Sequence, residues 1–407
     1  MPSLGDCIVL LGPELAPWRC SRFAWSDDTV TAIDRVAPAA TLDKGARVVI
    51  PGLTNGHTHM GDSAFPDGAT GLTLEQGFFR PDGFKYRRLA GLGREEHLPH
   101  VVSHLRYMAR TGTVTHIDFR EQGPAGSELL REASRITGVE SVILGQFSGV
   151  PFDEAALAAN TAPMPEDASA EFDRLLEVAD GFSESTMNDL TDTAWGEIRR
   201  RTSALGKLRA IHCLENAGYR DVSLARTGIG DLVRAIEVYD PHLIVHMTVA
   251  EAREIALLAA SGKTAVLNPR ANALLGLPHP PIRALLESGA NLLLGTDNGM
   301  LNSPNLFAEL DFTYKLAKSQ YGDALRPDPL AILRMATSNA GAVLGLGHPG
   351  YLAAGSPATF VVLDFHQPHL RSSQNVPASI VTRVTPEDIL ATYRAGRALY
   401  AAPGFTF

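Results

Sequence analysis

Two histidines with metal-binding spacing occur in the motif His57-Thr58-His59, which follows a β-branched run and the pair Pro51-Gly52. Side chains alternate between the two faces of an extended strand, so His57 and His59 point the same way. Two imidazoles aimed at one point can bind one metal ion. Because the His-x-His pattern is also frequent by chance, a metal site requires further ligands from elsewhere in the chain.

Further polar residues stand at the ends of short apolar runs. His212, His246 and Asp297 each close or directly follow such a run. If the runs are parallel strands of one barrel, their carboxyl ends meet at one rim, where active sites lie. Three imidazoles and a carboxylate suit one divalent metal ion, with zinc as the first candidate and iron(II) as the alternative. A single histidine is more often a packed or surface residue, but their joint position at strand ends indicates a site.

Glu215 follows His212 by three residues, so an uninterrupted strand would place the two side chains on opposite faces. We therefore expect the strand to end near Cys213 and the next turn to return Glu215 over the rim. A carboxyl group beside an activated water suits proton transfer. If the metal site is absent, Glu215 is instead an ordinary glutamate of a surface loop.

The pattern between the chain ends predicts eight alternating strand and helix units. Counting the His57 run as the first strand, the others are predicted at 113–119, 139–144, 179–183, 208–213, 243–246, 264–267 and 291–295. Amphipathic helices are predicted between them, among others at 95–110 and at 251–261, the latter with Thr248 as its N-cap. Eight units over about 300 residues predict an α/β fold, a (β/α)8 TIM barrel at 49–349. A doubly wound open sheet is the alternative, but it does not account for polar residues at so many strand ends.

The two chain ends contain short β-like pieces and no useful helical period. They lie at 7–11, 29–33, from 47 onward, 358–364, 379–381 and 391–397. Neither end could bury much apolar surface by itself. We therefore predict that residues 1–48 and 350–407 together form one small β-sandwich domain.

Composition limits the classes of partner and compartment. The net charge of −9 and the pI near 5.8 argue against a nucleic-acid partner. Three scattered cysteines do not form a disulfide framework, although Cys7 and Cys20 could pair. No apolar run approaches the ~20 residues that span a bilayer. The sequence therefore predicts a soluble cytoplasmic protein without a membrane partner.

The motifs together resemble the amidohydrolase superfamily. They are Pro51 to His59, His212-Cys213-Leu214-Glu215, His246, and Gly295-Thr296-Asp297-Asn298. The resemblance is to the branch with one metal ion, which includes cytosine, guanine and adenosine-type deaminases and triazine hydrolases. It covers nearly the whole chain, with one departure at Thr359, where family members usually carry aspartate. That position belongs to the terminal sheet domain, so the departure does not bear on the chemistry.

The resemblance implies roles for the residues at the rim. His57, His59, His212 and Asp297 would bind the metal, and Asp297 would also take a proton from the attacking water. His246 would contact that water or the developing tetrahedral centre. Glu215 would protonate a ring nitrogen and help carry a proton to the leaving group. Two-metal members use a lysine of the fourth strand, but the lysines between His59 and His212 do not fall at predicted strand ends, so one metal is expected.

Three residues are predicted to contact substrate. His116, Asp118 and Arg120 share one strand face, which we expect to point into the barrel, with Ile117 and Phe119 on the other. Arg120, nearest the carboxyl end, could bind an acidic or carbonyl group of a substrate, or form an internal ion pair with Asp118 or Glu121. Arg270 and Asn272 follow the seventh strand and could read ring heteroatoms or cap a loop.

The segment 65–93 follows the first strand and contains aromatic and basic residues. Loops after barrel strands line the active-site face, so this insert could be a lid or a wall of the substrate cavity. A solvated connector is the alternative.

The resemblance favours a hydrolytic deaminase of an amino-substituted N-heterocycle such as a purine, pyrimidine or pterin. A metal-bound hydroxide would attack the amidine carbon and ammonia would leave. Hydrolysis of a cyclic amide or of a ring halide by the same site is the second hypothesis. A binding protein that keeps the metal but has no activity is the third, disfavoured by the presence of Glu215. Family members often form oligomers, but no sequence feature selects a homo-oligomer.

Overall fold

The computed structural model describes residues 2–344 and 348–406 of the chain. Its strands form two separate sheets, and most of its helices surround the second sheet. The strands are β1 Ser3–Leu11, β2 Ala16–Ser26, β3 Thr29–Pro38, β4 Arg47–Pro51, β5 Leu53–His59, β6 Thr113–Arg120, β7 Glu140–Gly145, β8 Gly181–Glu184, β9 Leu208–Cys213, β10 Leu243–His246, β11 Thr264–Leu267, β12 Asn291–Leu294, β13 Asp297–Asn298, β14 Phe360–Asp364, β15 Ile389–Arg394 and β16 Arg397–Ala401.

The α-helices connect the strands of the second sheet and extend past its end. They are α1 Leu74–Phe78, α2 Phe84–Ala90, α3 Arg94–Arg110, α4 Gly123–Thr137, α5 Glu154–Ala159, α6 Glu166–Val178, α7 Asp192–Ala204, α8 Ala217–Thr227, α9 Asp231–Arg234, α10 Ala252–Ser261, α11 Pro269–Leu274, α12 Ile282–Glu287, α13 Leu306–Tyr321, α14 Pro329–Arg334, α15 Ser338–Leu344 and α16 Val376–Arg383. Short turns of 3-10 or π helix occur at Met60–Ala64, Met187–Asp189, Ala235–Tyr239 and Pro386–Asp388.

Strands β5 to β12 run parallel in chain order and form the predicted barrel. Two-residue β13 follows β12 and pairs with β5, which brings the last strand against the first. The Asn55 amide fastens this closure, because its Nδ2 donates to Thr296 Oγ1 at 2.7 Å and its Oδ1 accepts from Thr296 N at 3.0 Å. The closed barrel places the carboxyl ends of all its strands at one rim.

The run that enters the His-x-His motif is divided between the two sheets at Gly52. Strand β4 pairs with β1 and β14 of the first sheet, whereas β5 begins the barrel one residue later. A Cβ atom on Gly52 would lie 2.7 Å from Val114 Cγ2, so a side chain could not be accommodated without displacing its neighbours. The chain therefore passes from the terminal sheet directly to the strand that carries His57 and His59.

Branched and aromatic side chains fill the barrel interior, including Ile117, Phe119, Val245 and Leu293. The predicted orientation of β6 is therefore wrong, because its apolar face points inward. The polar face of β6 points toward the helices, where the Arg120 Nε donates to the carbonyl of Gly126 in α4 at 2.9 Å. Sequence alternation identifies which residues share a face but not which face is inside.

The terminal strands form one seven-stranded sheet in the order β16-β15-β14-β4-β1-β2-β3. The sheet rolls over on itself, because the Trp25 ring of β2 packs 4.8 Å from Phe360 of β14 and 5.5 Å from Tyr393 of β15. This is the predicted sheet domain built from both chain ends. At the departure from the family pattern, the Thr359 hydroxyl accepts a hydrogen bond from Ala395 N.

Three details of the terminal regions and helices differ from the prediction. Residues 379–381 belong to helix α16, and strand β2 has no counterpart among the predicted pieces. The N-cap of α10 is Glu251, which forms a capping box with Glu254, and not Thr248. Cys7 and Cys20 face each other across β1 and β2 but are free thiols. No helix within residues 2–344 or 348–406 combines the length and apolarity needed to cross a membrane.

Candidate active site

Four predicted ligand side chains converge at the carboxyl-end rim of the barrel. His57 Nε2 lies 3.3 Å from His212 Nε2 and 3.3 Å from Asp297 Oδ1. His59 Nε2 lies 3.7 Å from the same Asp297 oxygen. His57, His59 and Asp297 form one group able to hold a metal ion, and His57, His212 and His246 form a second, overlapping group.

The backbone at the strand ends aims these side chains at one point. His57 and His59 share the inner face of β5 with a single residue between them, as the two-residue period of a strand requires. His246 has φ 82° and Asp297 has φ 64°, both in the left-handed region. Non-glycine residues adopt this conformation at a cost and are found at functional sites.

Hydrogen bonds on the opposite ring nitrogens fix the tautomer of two histidines. His59 Nδ1 donates to Glu121 Oε1 at 2.7 Å and faces the Phe119 carbonyl at 3.1 Å. His212 Nδ1 donates to the Ser185 carbonyl at 2.7 Å. Carbonyl and carboxylate oxygens only accept, so the proton is on Nδ1 and each Nε2 presents a lone pair to the centre.

The arrangement of these atoms fits one divalent metal ion. Two ligands at about 2.05 Å from one ion and at a tetrahedral angle lie about 3.3 Å apart, which is the separation of His57 Nε2 from both His212 Nε2 and Asp297 Oδ1. Either a proton on His57 Nε2 or a metal ion between these atoms accounts for this distance, and a metal ion can be shared by His59 Nε2 as well. The donor set is therefore that of a metal centre with one divalent ion.

Burial keeps the imidazoles in the form that binds metal. Desolvation lowers the pKa of His57 to about 3, against the opposing effect of Asp297, and lowers the pKa of His212 well below its ordinary value. Both rings are therefore neutral at neutral pH. Metal ligation requires neutral histidine, so no proton has to be displaced before an ion binds.

Glu215 lies over this centre, where the sequence predicted it. Strand β9 ends at Cys213, and the next residue, Leu214, has φ 54°, which turns the chain back over the rim. Glu215 Oε1 lies 3.6 Å from His246 Nε2. Burial raises the pKa of the Glu215 carboxyl, while His246 and a hydrogen bond from Tyr219 lower it, and the net change is upward. A carboxyl with a raised pKa can hold a proton closer to neutral pH.

His246 is held from behind by two side-chain amides. The Nδ1 of His246 lies 3.3 Å from Asn272 Nδ2 and 3.4 Å from the Asn268 amide. Asn272, predicted as a substrate contact, thus contacts a site residue, and it is buried in α11 together with Pro269 and Ala271. Its position orients His246 toward Glu215.

Arg120 and Arg270, the other predicted substrate contacts, lie outside the residues that line the metal cavity. Arg120 is fully buried, and its Nη1 lies 3.3 Å from Glu121 Oε2. Arg120 therefore forms the internal ion pair with Glu121 that the sequence analysis gave as the alternative. Arg270 lies 3.7 Å from Glu309 Oε2, and its backbone N donates to the other oxygen of that carboxylate.

The 65–93 insert is a wall of the metal cavity. Leu74, Phe78, Lys85 and Tyr86 of the insert line it together with the residues of the rim. The space beside the ligands measures about 40 Å³, which is enough for a water molecule, since one water needs a cavity of about 10–15 Å³.

A larger cavity of about 420 Å³ adjoins the first and shares Phe78, Ser185 and Tyr219 with it. Its lining is mainly apolar and aromatic. It includes Phe79 of the 65–93 insert and Phe152, which lies between β7 and α5. Arg80 pairs there with Glu184 at 2.9 Å, which neutralises two of its buried charges. A cavity of this size holds a small organic molecule.

Sequence reasoning missed Glu121 and Lys85. Glu121 follows β6 directly and is expected from the sequence only as an ion-pair partner of Arg120, and Lys85 is one of the basic residues of the 65–93 insert. The Lys85 ammonium is buried and contacts Glu121 Oε1. Burial opposes ionisation of Glu121, but Lys85 and His59 hold its pKa well below its ordinary value. The position of Glu121 directly after a strand could have indicated that it belongs to the site. No sequence pattern indicates that Lys85 of the insert reaches it.

A closed parallel barrel, a terminal sheet and a cluster of histidines with an aspartate that could hold a metal ion at the rim are features of metal-dependent hydrolases. The model of the amidohydrolase family matches residues 48–399. The chain belongs to this family and is a hydrolase that acts on carbon–nitrogen bonds.

Relatives of similar length support the assignment. A candidate aminohydrolase of Methanothermobacter thermautotrophicus is 34% identical over 385 residues, which is 94% of either chain. A 5-methylthioadenosine/S-adenosylhomocysteine deaminase of Syntrophobacter fumaroxidans is 29% identical over 374 residues, covering 88% of this chain and 81% of the relative.

Solved structures share the fold. An adenosine deaminase of Xanthomonas campestris with bound zinc has a TM-score of 0.79 at 20% identity, over 98% of this chain and 93% of its own. An atrazine chlorohydrolase of Arthrobacter aurescens, complexed with zinc, has a TM-score of 0.80 at 14% identity, over 98% of this chain and 95% of its own. At these identities the similarity establishes the architecture alone.

Proposed function

We propose that this protein is a hydrolytic deaminase of an amino-substituted N-heterocycle, with one zinc ion at its centre. The observation that carries the proposal is the Glu215 carboxyl beside His246 Nε2, over the four-ligand set. A carboxyl group in that place can deliver a proton to a ring nitrogen. Deamination of an amidine needs this, because the ring must accept electrons while its carbon is attacked.

A divalent ion held by His57, His59, His212 and Asp297 would act as a Lewis acid that lowers the pKa of water from 15.7 toward about 7. Asp297 would take the proton that the attacking water loses. Glu215, with its raised pKa, would give its proton to the ring nitrogen, take up the proton of the hydroxyl group on the attacked carbon, and pass it to the departing amine. The water proton taken by Asp297 would then restore the protonated form of Glu215. His246 faces Glu215 through Nε2 and would stabilise the charge that develops at the attacked carbon.

Adenosine-type nucleosides are the substrates that we propose to test first. Several relatives are named as deaminases of 5-methylthioadenosine and S-adenosylhomocysteine. The adjoining cavity of about 420 Å³ offers room for a substituent that the space beside the ligands does not. Its apolar lining favours a neutral or apolar substituent over a phosphate.

The proposal is tested by measuring ammonia release from purine nucleosides with and without 5′-thio substituents, from pyrimidines and from pterins. We expect ammonia from at least one member of the nucleoside group and a product that has gained the oxygen. Release of chloride from a halogenated ring, or opening of a ring without release of ammonia, would contradict the deaminase proposal. Either result would favour the alternative, hydrolysis of a ring halide or of a cyclic amide.

Glu215→Gln provides the matched variant. It keeps the size of the side chain and removes the proton, so kcat should fall about 10²- to 10⁴-fold, while metal content stays at the native level. Glu177→Gln, on the exposed side of α6, is the control and should keep native kcat. Full activity in Glu215→Gln would contradict the proton-transfer role.

A further inference from the structure

A chain of buried charges runs from the insert to a metal ligand. The Lys85 ammonium, on α2, contacts Glu121 Oε1, and the same oxygen accepts from His59 Nδ1 at 2.7 Å. These three side chains have side-chain exposures of 3%, 1% and 7%, so water screens the contacts little.

We propose that Lys85 is a positioning residue, which ties the 65–93 insert to the metal ligand His59 through Glu121. This inference rests on the metal centre of the proposed function but not on its substrate. A carboxylate behind a ligating histidine fixes the ring and its tautomer and strengthens the ligand. Lys85 keeps that carboxylate in place.

The surroundings of Glu121 show why its position depends on Lys85. Its second oxygen lies 3.3 Å from Arg120 Nη1, and Arg120 is itself held by the Gly126 carbonyl and by Gln122. Arg120 therefore fixes one oxygen from the helix side. Lys85 is the cation at the oxygen that faces His59.

A second carboxylate fixes the ammonium group. Asp62 Oδ2 lies 3.8 Å from Lys85 Nζ, and it accepts from Asn298 Nδ2 at 2.7 Å. Met300 N donates to the other oxygen of Asp62 at 2.9 Å. The insert is thus joined both to β5 through His59 and to the chain after β13, which carries Asp297. The same lysine therefore connects the insert to both segments that carry ligands.

The test is the rate at which the metal-loaded protein loses its ion to excess chelator. Lys85→Met should lose the ion about tenfold faster, within the ~10- to 100-fold range found when outer partners of metal ligands are removed. Lys85→Arg keeps the cation and should restore most of the native rate. Lys315→Met, which removes an exposed lysine paired with Asp311, is the control and should equal the native protein.

A double-mutant cycle with Glu121→Gln tests whether Lys85 acts on His59 through Glu121 or whether its loss destabilises the whole site. In the Glu121→Gln background, Lys85→Met should accelerate metal loss by less than about twofold, because the charge through which Lys85 acts is already absent. Equal acceleration in both backgrounds, or native metal retention in Lys85→Met, would overturn the proposal. Lys85→Gln carries the same prediction if Lys85→Met does not accumulate as folded protein.

Hydrogen exchange provides a readout on the insert itself. Coupling is reciprocal, so removing the metal from the native protein should speed exchange across residues 65–93, and this effect should shrink in Glu121→Gln. Unchanged exchange of the insert on metal removal would also overturn the proposal. Neither measurement uses a substrate. The positioning role of Lys85 can therefore be refuted while the deaminase proposal stands, and the deaminase proposal can be refuted while the positioning role stands.

Discussion

Glu215 and His246 approach each other because both strands end in left-handed backbone, at Leu214 and at His246 itself. The sequence spacing of Glu215 from His212 required such a turn, and the structure has it. The position of Glu215 was therefore predictable from strand parity. The hydrogen bond from Tyr219 that tunes its pKa was not, because Tyr219 belongs to helix α8 and shares no pattern with the strands.

Removing the Tyr219 hydroxyl should change the pH dependence of catalysis. That hydroxyl stabilises the ionised carboxylate, so Tyr219→Phe should raise the pKa of Glu215 further. If catalysis needs protonated Glu215, activity declines as pH rises through this pKa, and the alkaline limb of kcat/KM should move to higher pH in the variant. Tyr321→Phe, outside the cavity, serves as the control. A limb that stays in place or moves to lower pH would contradict the assignment.

At the scale of elements, the ligands depend on how closely β5 and the end of β12 approach. A Cβ atom on Gly295 would lie 2.7 Å from His57 Cβ, 2.8 Å from His57 N and 2.4 Å from Asn268 Oδ1. The glycine is therefore required where the last strand passes the first. The same contact brings Asp297 within reach of His57.

Gly295→Ala should lower both thermal stability and metal content, because the added methyl group pushes β5 away from the strand that carries Asp297. Gly196→Ala is the matched control: no atom lies within 4 Å of its added Cβ, and it lies inside helix α7. That variant should gain about 0.5–1 kcal/mol of unfolding free energy. Melting temperature and metal analysis check both. Native metal content in Gly295→Ala would show that the strand approach does not position the ligands.

The sequence predicted the barrel strands well, because each is a short buried apolar run with a polar residue at its end. The sequence did not predict the features that depend on contacts between distant parts of the chain. The sequence analysis places His116, Asp118 and Arg120 on the inward face of β6. This is wrong because the alternation of side chains shows which residues share a face but not which face points inward. Residues 379–381 include β-branched apolar side chains, which favour a strand. They nevertheless lie inside helix α16, which begins after the N-cap residue Asn375. The fold of the insert over the rim depends on tertiary ion pairs, which no local pattern shows.

At the scale of the molecule, the terminal sheet and the barrel are joined at Gly52, and both chain ends contribute to the sheet. Phe360 packs edge-on against Phe23 and Trp25 and stacks on Tyr393. These rings belong to residues far apart in the chain. The sheet domain therefore holds the two ends together behind the strand that carries the histidines.

Phe360→Ala should lower the free energy of unfolding by about 3–5 kcal/mol, because it leaves a cavity among the buried rings. Val36→Ala, at a side chain that is 63% exposed, should change it by less than about 0.5 kcal/mol. Denaturant unfolding measures both. The folded fraction of Phe360→Ala should still bind one metal ion, since no ligand belongs to this sheet; loss of metal from folded protein would show that the sheet supports the centre directly.

The central claim is that one metal ion at the four-ligand centre supports hydrolytic deamination. The most direct measurement is titration of metal-depleted protein with zinc, and separately with iron(II), while ammonia release from an adenosine-type nucleoside is followed. The account predicts that activity rises linearly and becomes constant at one equivalent per chain. A break at two equivalents, or ammonia release at the same rate without added metal, would contradict it.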